Sequence, residues 1–382
     1  MVSRIVHLAD LHLDAPFART GRGSQVLNAR REGLREALKR ALDFAREKQA
    51  DALTIGGDLF EADYVTQDTA QFLRYQFEAA APLRILIAPG NHDPYSRSSP
   101  YAQVEWPDNV FIFSEPHLKP TPLMGNVLVW GAGHDTADFR KPLVRDFRLP
   151  ADSPAVLLLH GTDTSMPLPG NKGAFCPFTE SEIRKAGFGL ALLGHIHHGR
   201  LQPASDPLLC YPGSPEPLGF DEEVGHSILL AEWNGEGWCV ETHDVSRWMC
   251  RITQVDVTGL ESRDPIIEQL RQFASEERKG KRCLLQAELI GQLSSSIDLD
   301  LLTIQTALAE EYAEIQIENK TTPPFDLDAL SKDQTITGGF VRALLQKAEE
   351  ARRNGDEAWL SLAERGLFYG LMALENREIR IR

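Results

Sequence analysis

Cysteines are few in this sequence, and long apolar runs are absent from it. Its 382 residues include five cysteines, no two of which have Cys-x-x-Cys spacing. An odd number of scattered cysteines argues against a disulfide framework and a cysteine-ligated zinc, and it favours a reducing cytoplasm. No apolar run approaches the roughly 20 residues that span a bilayer, and the N-terminus lacks the layout of a signal peptide. We therefore expect a cytoplasmic protein without a membrane segment.

Basic residues are also in the minority. The chain has 40 Lys and Arg against 55 Asp and Glu, a formal net charge of −15. This balance gives no general attraction to nucleic acid or to an anionic membrane. It does not exclude nucleic acid, because a local basic patch or bound cations reverse the sign where a substrate binds. The 42% apolar and 25% charged residues are ordinary for a globular chain and exclude a disordered or fibrous one.

Short apolar runs recur through the first two thirds of the chain, each bounded by Gly, Asp, Asn or Pro. Such short runs between turn residues predict buried strands rather than helices. The runs cover residues 5–9, 52–55, 83–88, 110–113, 127–130, 155–159, 190–193, 208–211, 228–233 and 238–240. Helical patterns occupy residues 25–48 and 67–81, and Thr179 with Glu182 predicts a capping box. The pattern predicts an α/β domain over residues 1–247, with sheets packed between helices.

The order of predicted strands and helices changes after residue 247. Strand patterns at 252–257, 284–290 and 314–318 alternate with helical patterns at 265–277 and 299–311. Residues 248–322 are therefore expected to form a smaller α/β domain. Two consecutive prolines predict a linker at 321–324, and residues 323–382 are helical in composition.

Five polar segments each follow one of the apolar runs. They are Asp10-Leu11-His12, Gly57-Asp58, Gly90-Asn91-His92-Asp93, His160-Gly161 and Gly194-His195-Ile196-His197. Ligands of α/β sheets bind at the carboxyl ends of strands, so the five segments are expected to converge on one crevice. Each segment alone is a weak signal, since a strand-end turn with a solvated acid explains it equally well. The occurrence of all five segments in this order is improbable by chance.

The donor atoms in these segments indicate a metal centre. Side chains two apart on an extended strand point to the same side, so the Asp-x-His pair and the His-x-His pair can each aim two ligands into the crevice. Nitrogen and oxygen donors without sulfur suit manganese, iron or zinc and argue against copper(I) or an iron–sulfur cluster. Seven donors exceed the needs of one four-coordinate zinc and fit two ions that share a carboxylate. The seven are Asp10, His12, Asp58, Asn91, His160, His195 and His197.

The same segments carry a resemblance to a known family. The chain resembles the calcineurin-like metallophosphoesterases in HLADLHLDAPF, GGDLFEA, APGNHDP, LLLHG and LLGHIHHG. Together with YPGSPEP, these segments are similar to those of the SbcD/YhaO-type bacterial DNA repair exonucleases, the nuclease subunits of double-strand-break repair complexes. The resemblance implies a four-layer α/β/β/α sandwich over residues 1–247, a capping domain over 248–322 and a helical region over 323–382. The apolar helix around residues 359–374 either docks a partner or packs against the rest of the chain.

The resemblance also implies a role for each donor. One divalent ion would be held by Asp10, His12, Asp58 and His197, and the other by Asp58, Asn91, His160 and His195. Mn²⁺ would be the first candidate for both ions, with Fe²⁺, Zn²⁺ and Mg²⁺ as alternatives. The two ions would activate a water for attack on phosphorus. His92 would be the general acid that protonates the leaving oxygen, and Asp93 would orient its ring.

One residue departs from the family pattern. Many of these nucleases carry a histidine three residues after the bridging aspartate, where this chain has Glu61. A carboxylate there would repel the DNA backbone unless it turns away. The departure leaves open whether the enzyme is an exonuclease or an endonuclease, and with which polarity.

The implied partners are DNA, an SbcC/YhaN-like coiled-coil ATPase and a second copy of the chain. The homodimer would form near the helix at residues 68–81. A basic turn in the second domain is the expected contact with the DNA backbone, through Arg278, Lys279, Lys281 and Arg282.

Two other functions remain open. The same chemistry could act on a small phosphodiester such as a cyclic nucleotide, which the acidic net charge favours weakly and the additional domains do not. A non-catalytic scaffold that presents DNA ends to an ATPase would require decayed ligands, and none of the seven donors is missing. A Ser/Thr phosphatase is disfavoured, because Gly57-Asp58 is not followed by the Asp-Arg-Gly pattern of those enzymes.

Overall fold

The structure is a computed structural model, and it describes residues 3–17, 24–123, 127–150, 154–165, 174–204, 206–223, 225–277, 280–293, 297, 299–322 and 325–374. Within those ranges the chain forms fifteen strands: β1 (Ser3–Leu8), β2 (Ala52–Ile55), β3 (Arg84–Ile87), β4 (Val110–Ile112), β5 (Lys119–Pro122), β6 (Leu128–Gly131), β7 (Ala155–His160), β8 (Leu190–Gly194), β9 (Arg200–Gln202), β10 (Leu209–Tyr211), β11 (Ser227–Trp233), β12 (Trp238–Asp244), β13 (Trp248–Asp256), β14 (Arg282–Ile290) and β15 (Glu314–Asn319). The same ranges contain nine helices: α1 (Ser24–Glu47), α2 (Gln67–Ala79), α3 (Pro100–Gln103), α4 (Glu180–Ala186), α5 (Asp264–Glu277), α6 (Leu301–Ala307), α7 (Leu327–Lys332), α8 (Ile336–Asn354) and α9 (Glu357–Leu374).

Two six-stranded sheets carry most of the strands. The first has the order β12-β11-β1-β2-β3-β4, and its strands β1 to β4 run parallel. The second has the order β5-β6-β7-β8-β10-β9, with β6, β7, β8 and β10 parallel. Antiparallel strands lie toward the edges, β11 and β12 in the first sheet and β5 and β9 in the second.

The two sheets pack face to face, with helices on the outside. Ile5 of β1 and Val156 of β7 belong to one buried cluster between the sheets. Leu38 of α1 lies in the cluster on the outer face of the first sheet, and Ile183 of α4 lies in the cluster on the outer face of the second. This arrangement confirms the predicted α/β class with its α/β/β/α layers.

The central strands and α4 form where the sequence pattern predicts them. β7 and β8 are buried along their whole length, as expected for parallel strands that are covered on both faces. At the start of α4, the Thr179 side chain accepts from the Glu182 N–H, and the Glu182 carboxylate accepts from the Thr179 N–H. This is the predicted capping box.

The strand order brings the five polar segments to one end of the paired sheets. β1, β2 and β3 are neighbours in the first sheet, and they lead into Asp10, Asp58 and Asn91. β7 and β8 are neighbours in the second sheet; β7 ends at His160, and His195 directly follows β8. Both sheets therefore contribute polar side chains at their carboxyl ends, where α/β proteins bind ligands.

The chain divides into two compact units. The larger one comprises Met1–Val255, Asp264–Glu288 and Asp300–Glu318, and the smaller one comprises Asp256–Arg263, Leu289–Leu299 and Asn319–Arg382. A further sheet of three strands has the order β13-β14-β15, and α5 and α6 connect these strands along the chain. The division into domains at residues 247 and 322 stays a prediction.

Two helices of the smaller unit, α8 and α9, pack against each other. Their buried cluster contains Val341 from α8 and Leu367 and Leu371 from α9. Phe340 packs against this cluster, and its ring lies where a side chain at Gly370 would otherwise be. The glycine thus permits the close approach of the two helices.

Two expectations from composition can be compared with the fold. All five cysteines are free thiols, four of them buried and Cys239 exposed. Among the residues that the structure describes, no helix combines the length and apolarity needed to cross a membrane.

Candidate metal centre

Left-handed backbone conformations mark the loops that carry the predicted ligands. Asp10, His12, Asp58 and His195 have φ values of 54°, 50°, 51° and 97°. Residues other than glycine rarely adopt this region, and such conformations concentrate at functional sites. Backbone hydrogen bonds join the loop after β1 to the loop after β2. The Asp10 N–H donates to the Gly57 carbonyl at 3.1 Å, and the His12 N–H donates to the Asp58 carbonyl at 2.9 Å.

Two buried carboxylates form the centre of the site. Asp10 and Asp58 are 0% and 1% exposed. Both oxygens of Asp10 accept from the His195 N–H, at 2.9 and 3.0 Å. Oδ1 of Asp58 accepts from the His92 N–H at 2.8 Å. Burial raises the pKa of Asp10 to about 6 and raises the pKa of Asp58 well above its usual value, because the charged form of a carboxylate is disfavoured away from water.

Three imidazoles are held through the same ring nitrogen. Nδ1 of His12 donates to Glu61 Oε1 at 2.7 Å, Nδ1 of His160 donates to the Gly56 carbonyl at 2.8 Å, and Nδ1 of His197 donates to Glu222 Oε1 at 2.7 Å. A ring that donates through Nδ1 presents Nε2 as its free ligand atom.

The free nitrogens face the central carboxylate. Nε2 of His12 lies 3.6 Å from Asp58 Oδ2, and Nε2 of His160 lies 3.3 Å from the same oxygen. His12 Nε2 is buried and has no hydrogen-bond partner within the described ranges. Burial lowers the pKa of His12 to about 4 and lowers the pKa of His160 well below its usual value, so both rings are neutral near pH 7. An unpaired nitrogen of His12 aimed at a buried carboxylate fits a divalent cation held between the two groups.

Groups of ligand atoms that lie within 4.8 Å of one another support this fit. In the part of the chain that the structure describes, such groups are Asp10 with His12 and His197, Asp10 with Asp58 and His160, and His12 with Glu61 and His92. The first two contain five of the seven predicted donors.

The two remaining donors adjoin His160. Asn91 Oδ1 lies 2.9 Å from His160 Nε2, and the ring centroids of His160 and His195 are 5.2 Å apart. The structure therefore brings all seven predicted donors to one crevice.

His92 lies at the exposed side of this crevice. Its side chain is 46% exposed, and its ring centroid is 4.8 Å from that of His12. Nδ1 of His92 donates to Glu61 Oε2 at 2.9 Å. This hydrogen bond raises the pKa of His92 to about 9, so the ring is protonated near pH 7. A protonated imidazole at the edge of a metal centre can donate a proton to a leaving oxygen.

Glu61 holds two imidazoles at once, a role that no sequence pattern indicated. We expected its carboxylate to repel a DNA backbone unless it turned away; it is turned toward His12 and His92 and accepts from both rings. Burial opposes its ionisation, but the hydrogen bonds from the two rings lower the pKa of Glu61 to about 2.

Asp93 has different partners from those expected. It accepts from the N–H groups of Gly90, Asp58 and Leu59 and from the Tyr101 hydroxyl, at 2.6 to 3.0 Å. Its carboxylate thus ties together the loops that follow β2 and β3, while the His92 ring is oriented by Glu61.

Glu222 is a residue of the site that sequence reasoning missed. Its Oε1 accepts from His197, and its Oε2 accepts from the Ser214 hydroxyl at 2.6 Å and the Leu218 N–H at 3.0 Å. Burial opposes ionisation, but these hydrogen bonds lower the pKa of Glu222 to about 2. Burial also acts against the charge on His197, yet the bond to Glu222 raises the pKa of His197 to about 9. A cation at this ring would therefore compete with a proton.

The predicted DNA contacts lie away from these loops in the sequence. Lys281 donates to Asp244 Oδ2 and to the Ser246 hydroxyl, both at 2.6 Å, and the Arg282 guanidinium lies 4.5 Å from the centroid of the Trp248 ring. Both side chains are thus engaged with their own chain. Arg278 and Lys279 lie outside the described residues, and contact of these four residues with DNA stays a prediction.

Comparisons with known proteins identify the family of this chain. The family model described as calcineurin-like phosphoesterase matches residues 3–199, a range that contains all seven donors. YhaO of Bacillus subtilis (strain 168), an uncharacterized metallophosphoesterase, is 28% identical over 287 residues, which cover 72% of this chain and 68% of YhaO. The DNA double-strand break repair protein Mre11 of Methanopyrus kandleri is 24% identical over 366 residues, which cover 86% of this chain and 76% of Mre11.

A solved structure is also similar to this chain. The crystal structure of TT1561 of Thermus thermophilus is 20% identical and covers 64% of this chain and 100% of its own, with a TM-score of 0.40. At this level it adds nothing to the assignment, which rests on the family match and on the geometry of the centre. The chain belongs to the calcineurin-like phosphoesterase family, and its hydrolase chemistry is that of a metallophosphoesterase.

Proposed function

We propose that this protein hydrolyses phosphodiester bonds of DNA in DNA repair, using two divalent metal ions, of which Mn²⁺ is the first candidate. The observation that carries the proposal is the position of Asp58 Oδ2, which lies 3.6 Å from His12 Nε2 and 3.3 Å from His160 Nε2. A carboxylate oxygen between two imidazole nitrogens would serve as the shared ligand of two ions.

The seven donors divide into two ligand sets around this carboxylate. One set is Asp10, His12, Asp58 and His197, and the other is Asp58, Asn91, His160 and His195. Cations bound by these residues would supply Lewis acidity and activate a water for phosphodiester hydrolysis. The chain itself fixes the ligands, because the three Nδ1 hydrogen bonds and the backbone bonds to Asp10 and Asp58 set their orientation before any ion binds.

In this proposal, His92 protonates the leaving oxygen. The leaving group of a DNA phosphodiester is an alkoxide, which departs poorly unless it is protonated. His92 is half exposed, protonated near pH 7 and anchored through Nδ1 to Glu61. Its Nε2–H is therefore the proton donor that we assign to the leaving oxygen.

DNA as the substrate is supported by similarity. The relative from Methanopyrus kandleri is described as a DNA double-strand break repair protein, and it aligns with 86% of this chain. The described part of the chain also continues past the family match with a third sheet and helices α5 to α9. From the resemblance of the sequence motifs to SbcD/YhaO-type nucleases, we also propose a cytoplasmic homodimer that works with an SbcC/YhaN-like ATPase.

A nuclease assay tests the proposal. Metal-free protein is loaded with Mn²⁺, Mg²⁺ or Zn²⁺ and incubated with plasmid, linear duplex and single-stranded DNA. We expect metal-dependent cleavage that His92→Ala abolishes and that the matched control His117→Ala, at an exposed histidine paired with Glu115, leaves intact. Hydrolysis of a generic phosphodiester without action on any of the three DNA forms would contradict the proposal and favour a small substrate.

A further inference from the structure

Another loop reaches the candidate centre without carrying any of the seven proposed ligands. It follows β6, the neighbour of β7 in the second sheet, and it contains His134. The His134 N–H donates to the Pro89 carbonyl at 2.9 Å, and the His134 carbonyl accepts from the Tyr95 N–H at 2.7 Å. Pro89 and Tyr95 lie on either side of Asn91, in the segment that follows β3 of the first sheet. The loop therefore links the two large sheets at the centre.

The side chain of His134 contacts His160 in two ways. It is 1% exposed, and its Nε2–H donates to the His160 carbonyl at 2.8 Å. The carbonyl oxygen can only accept, so Nε2 is the ring nitrogen that carries the proton. The two rings also meet edge to face, with their centroids 5.3 Å apart and their planes at 87°. His134 therefore contacts both the backbone and the ring of a proposed metal ligand.

The other ring nitrogen of His134 has no comparable contact. Nδ1 is buried and has no hydrogen-bond partner in the part of the chain that the structure describes. Burial lowers the pKa of His134 to about 4, so Nδ1 stays an unprotonated acceptor near pH 7. A buried acceptor without a donor lowers stability, and a phenyl ring of similar shape would avoid that cost. The bond to the His160 carbonyl is thus what a histidine adds at this position.

The two proposed ions differ in the residues that support their ligands. The imidazoles assigned to one ion, His12 and His197, donate to glutamates. His134 instead bonds to residues on both sides of Asn91 and to His160, which are assigned to the other ion. A change in the His134 side chain acts on His160 directly, so it should disturb that ion more than the first.

We propose that His134 is a positioning residue for the ion assigned to Asp58, Asn91, His160 and His195. The inference rests on the proposed two-metal function and adds a residue that holds a ligand without touching the ion. The bond to the His160 carbonyl fixes the peptide plane at the end of β7, and with it the direction in which the His160 ring leaves the backbone. Without this bond the ring can turn, and the ion binds more weakly.

Binding of Mn²⁺ tests the inference without an activity assay. Full-length, metal-free protein is titrated with Mn²⁺ by calorimetry, and bound ions per chain are counted by mass spectrometry. His134→Phe keeps a ring of similar shape and removes the donor, whereas His134→Gln supplies an amide N–H in its place. The control Tyr312→Phe removes a buried hydroxyl that donates to the Leu270 carbonyl at 2.6 Å, far in the sequence from every proposed ligand.

We expect two ions in the wild type and in Tyr312→Phe. In His134→Phe, one ion should keep its affinity and the other should bind about 10–100-fold more weakly, and His134→Gln should recover most of that loss. If His134→Phe does not fold, His134→Asn, whose shorter amide does not reach the carbonyl, takes its place.

The outcomes separate the inference from the proposed function. Fewer than two ions in the wild type would defeat the two-metal centre. Two ions in the wild type, together with equal affinities in His134→Phe or an equal weakening of both ions, would overturn the role of His134 alone. Failure of a folded His134→Gln to recover any affinity would also overturn it, because the loss would then come from altered packing rather than from the missing donor.

Discussion

Glu61 and Glu222 hold imidazoles of the same centre in different surroundings. Glu222 accepts from His197 and also from the Ser214 hydroxyl and the Leu218 N–H, so its carboxylate is fixed whether or not the imidazole is present. Both oxygens of Glu61 accept from imidazoles, one from His12 and one from His92. Glu222 therefore orients one proposed metal ligand, whereas Glu61 couples a proposed metal ligand to the proposed proton donor.

The largest expected effect comes from removing His92, the proposed proton donor. We expect His92→Ala to lower kcat for DNA by about 10²–10⁴-fold, the usual contribution of a general acid. Hydrolysis of a p-nitrophenyl ester, whose leaving group departs without a proton, should change far less. The difference between the two substrates is checked by measuring both rates, and the metal content is measured by mass spectrometry. Loss of bound metal would show that His92 acts as a ligand.

The next effect separates the two glutamates. Glu61→Gln leaves one amide oxygen to accept from two rings, so His12 or His92 loses its anchor. We expect a loss of about 10–100-fold on DNA, with a smaller loss on the p-nitrophenyl ester because His92 matters less there. An equal loss on both substrates would break the distinction drawn between Glu61 and Glu222.

Glu222→Gln should act on metal affinity alone. Weakening the support of His197 is expected to lower the affinity for Mn²⁺ by about 10–100-fold, with equal losses on DNA and on the p-nitrophenyl ester. Titration with Mn²⁺ should restore both activities together. If saturating Mn²⁺ restores only ester hydrolysis, Glu222 also supports proton donation.

The smallest effect concerns Asp93, a third carboxylate that accepts from no imidazole among the described residues. Tyr101→Phe removes the hydroxyl that donates to Asp93 Oδ2 at 2.6 Å. Three N–H donors remain, so we expect a decrease of about 1 kcal/mol in the free energy of unfolding and little change in kcat. Chemical denaturation measures the free energy of unfolding, and the DNA assay measures kcat. A loss of activity as large as that of Glu61→Gln would place Asp93 in the catalytic machinery.

The fold was largely predictable because its central strands are continuous apolar runs. β7 and β8 are buried on both faces and are evident in the sequence for that reason. The edge strands β5 and β9 were not predicted. β5 contains Pro120 and Pro122, which argue against a strand in the interior of a sheet, and β9 has only three residues.

The loops that carry the proposed metal ligands were predictable for a related reason, and the residues that support those side chains were not. Each ligand follows an apolar run, so its position can be read from local sequence. Glu222 reaches His197 across 25 residues, and Glu61 reaches His12 across 49. No local spacing indicates such pairs, because they depend on how separate loops fold over one another.

Metal stoichiometry tests the central claim, that one carboxylate serves two ions. Wild-type protein and Asp58→Asn are equilibrated with Mn²⁺, and bound metal per chain is counted by mass spectrometry, with Asp63→Asn, an exposed aspartate on the loop after β2, as the control. We predict two ions in the wild type and the control, and loss of both from Asp58→Asn. Retention of one or both ions by Asp58→Asn would contradict the account.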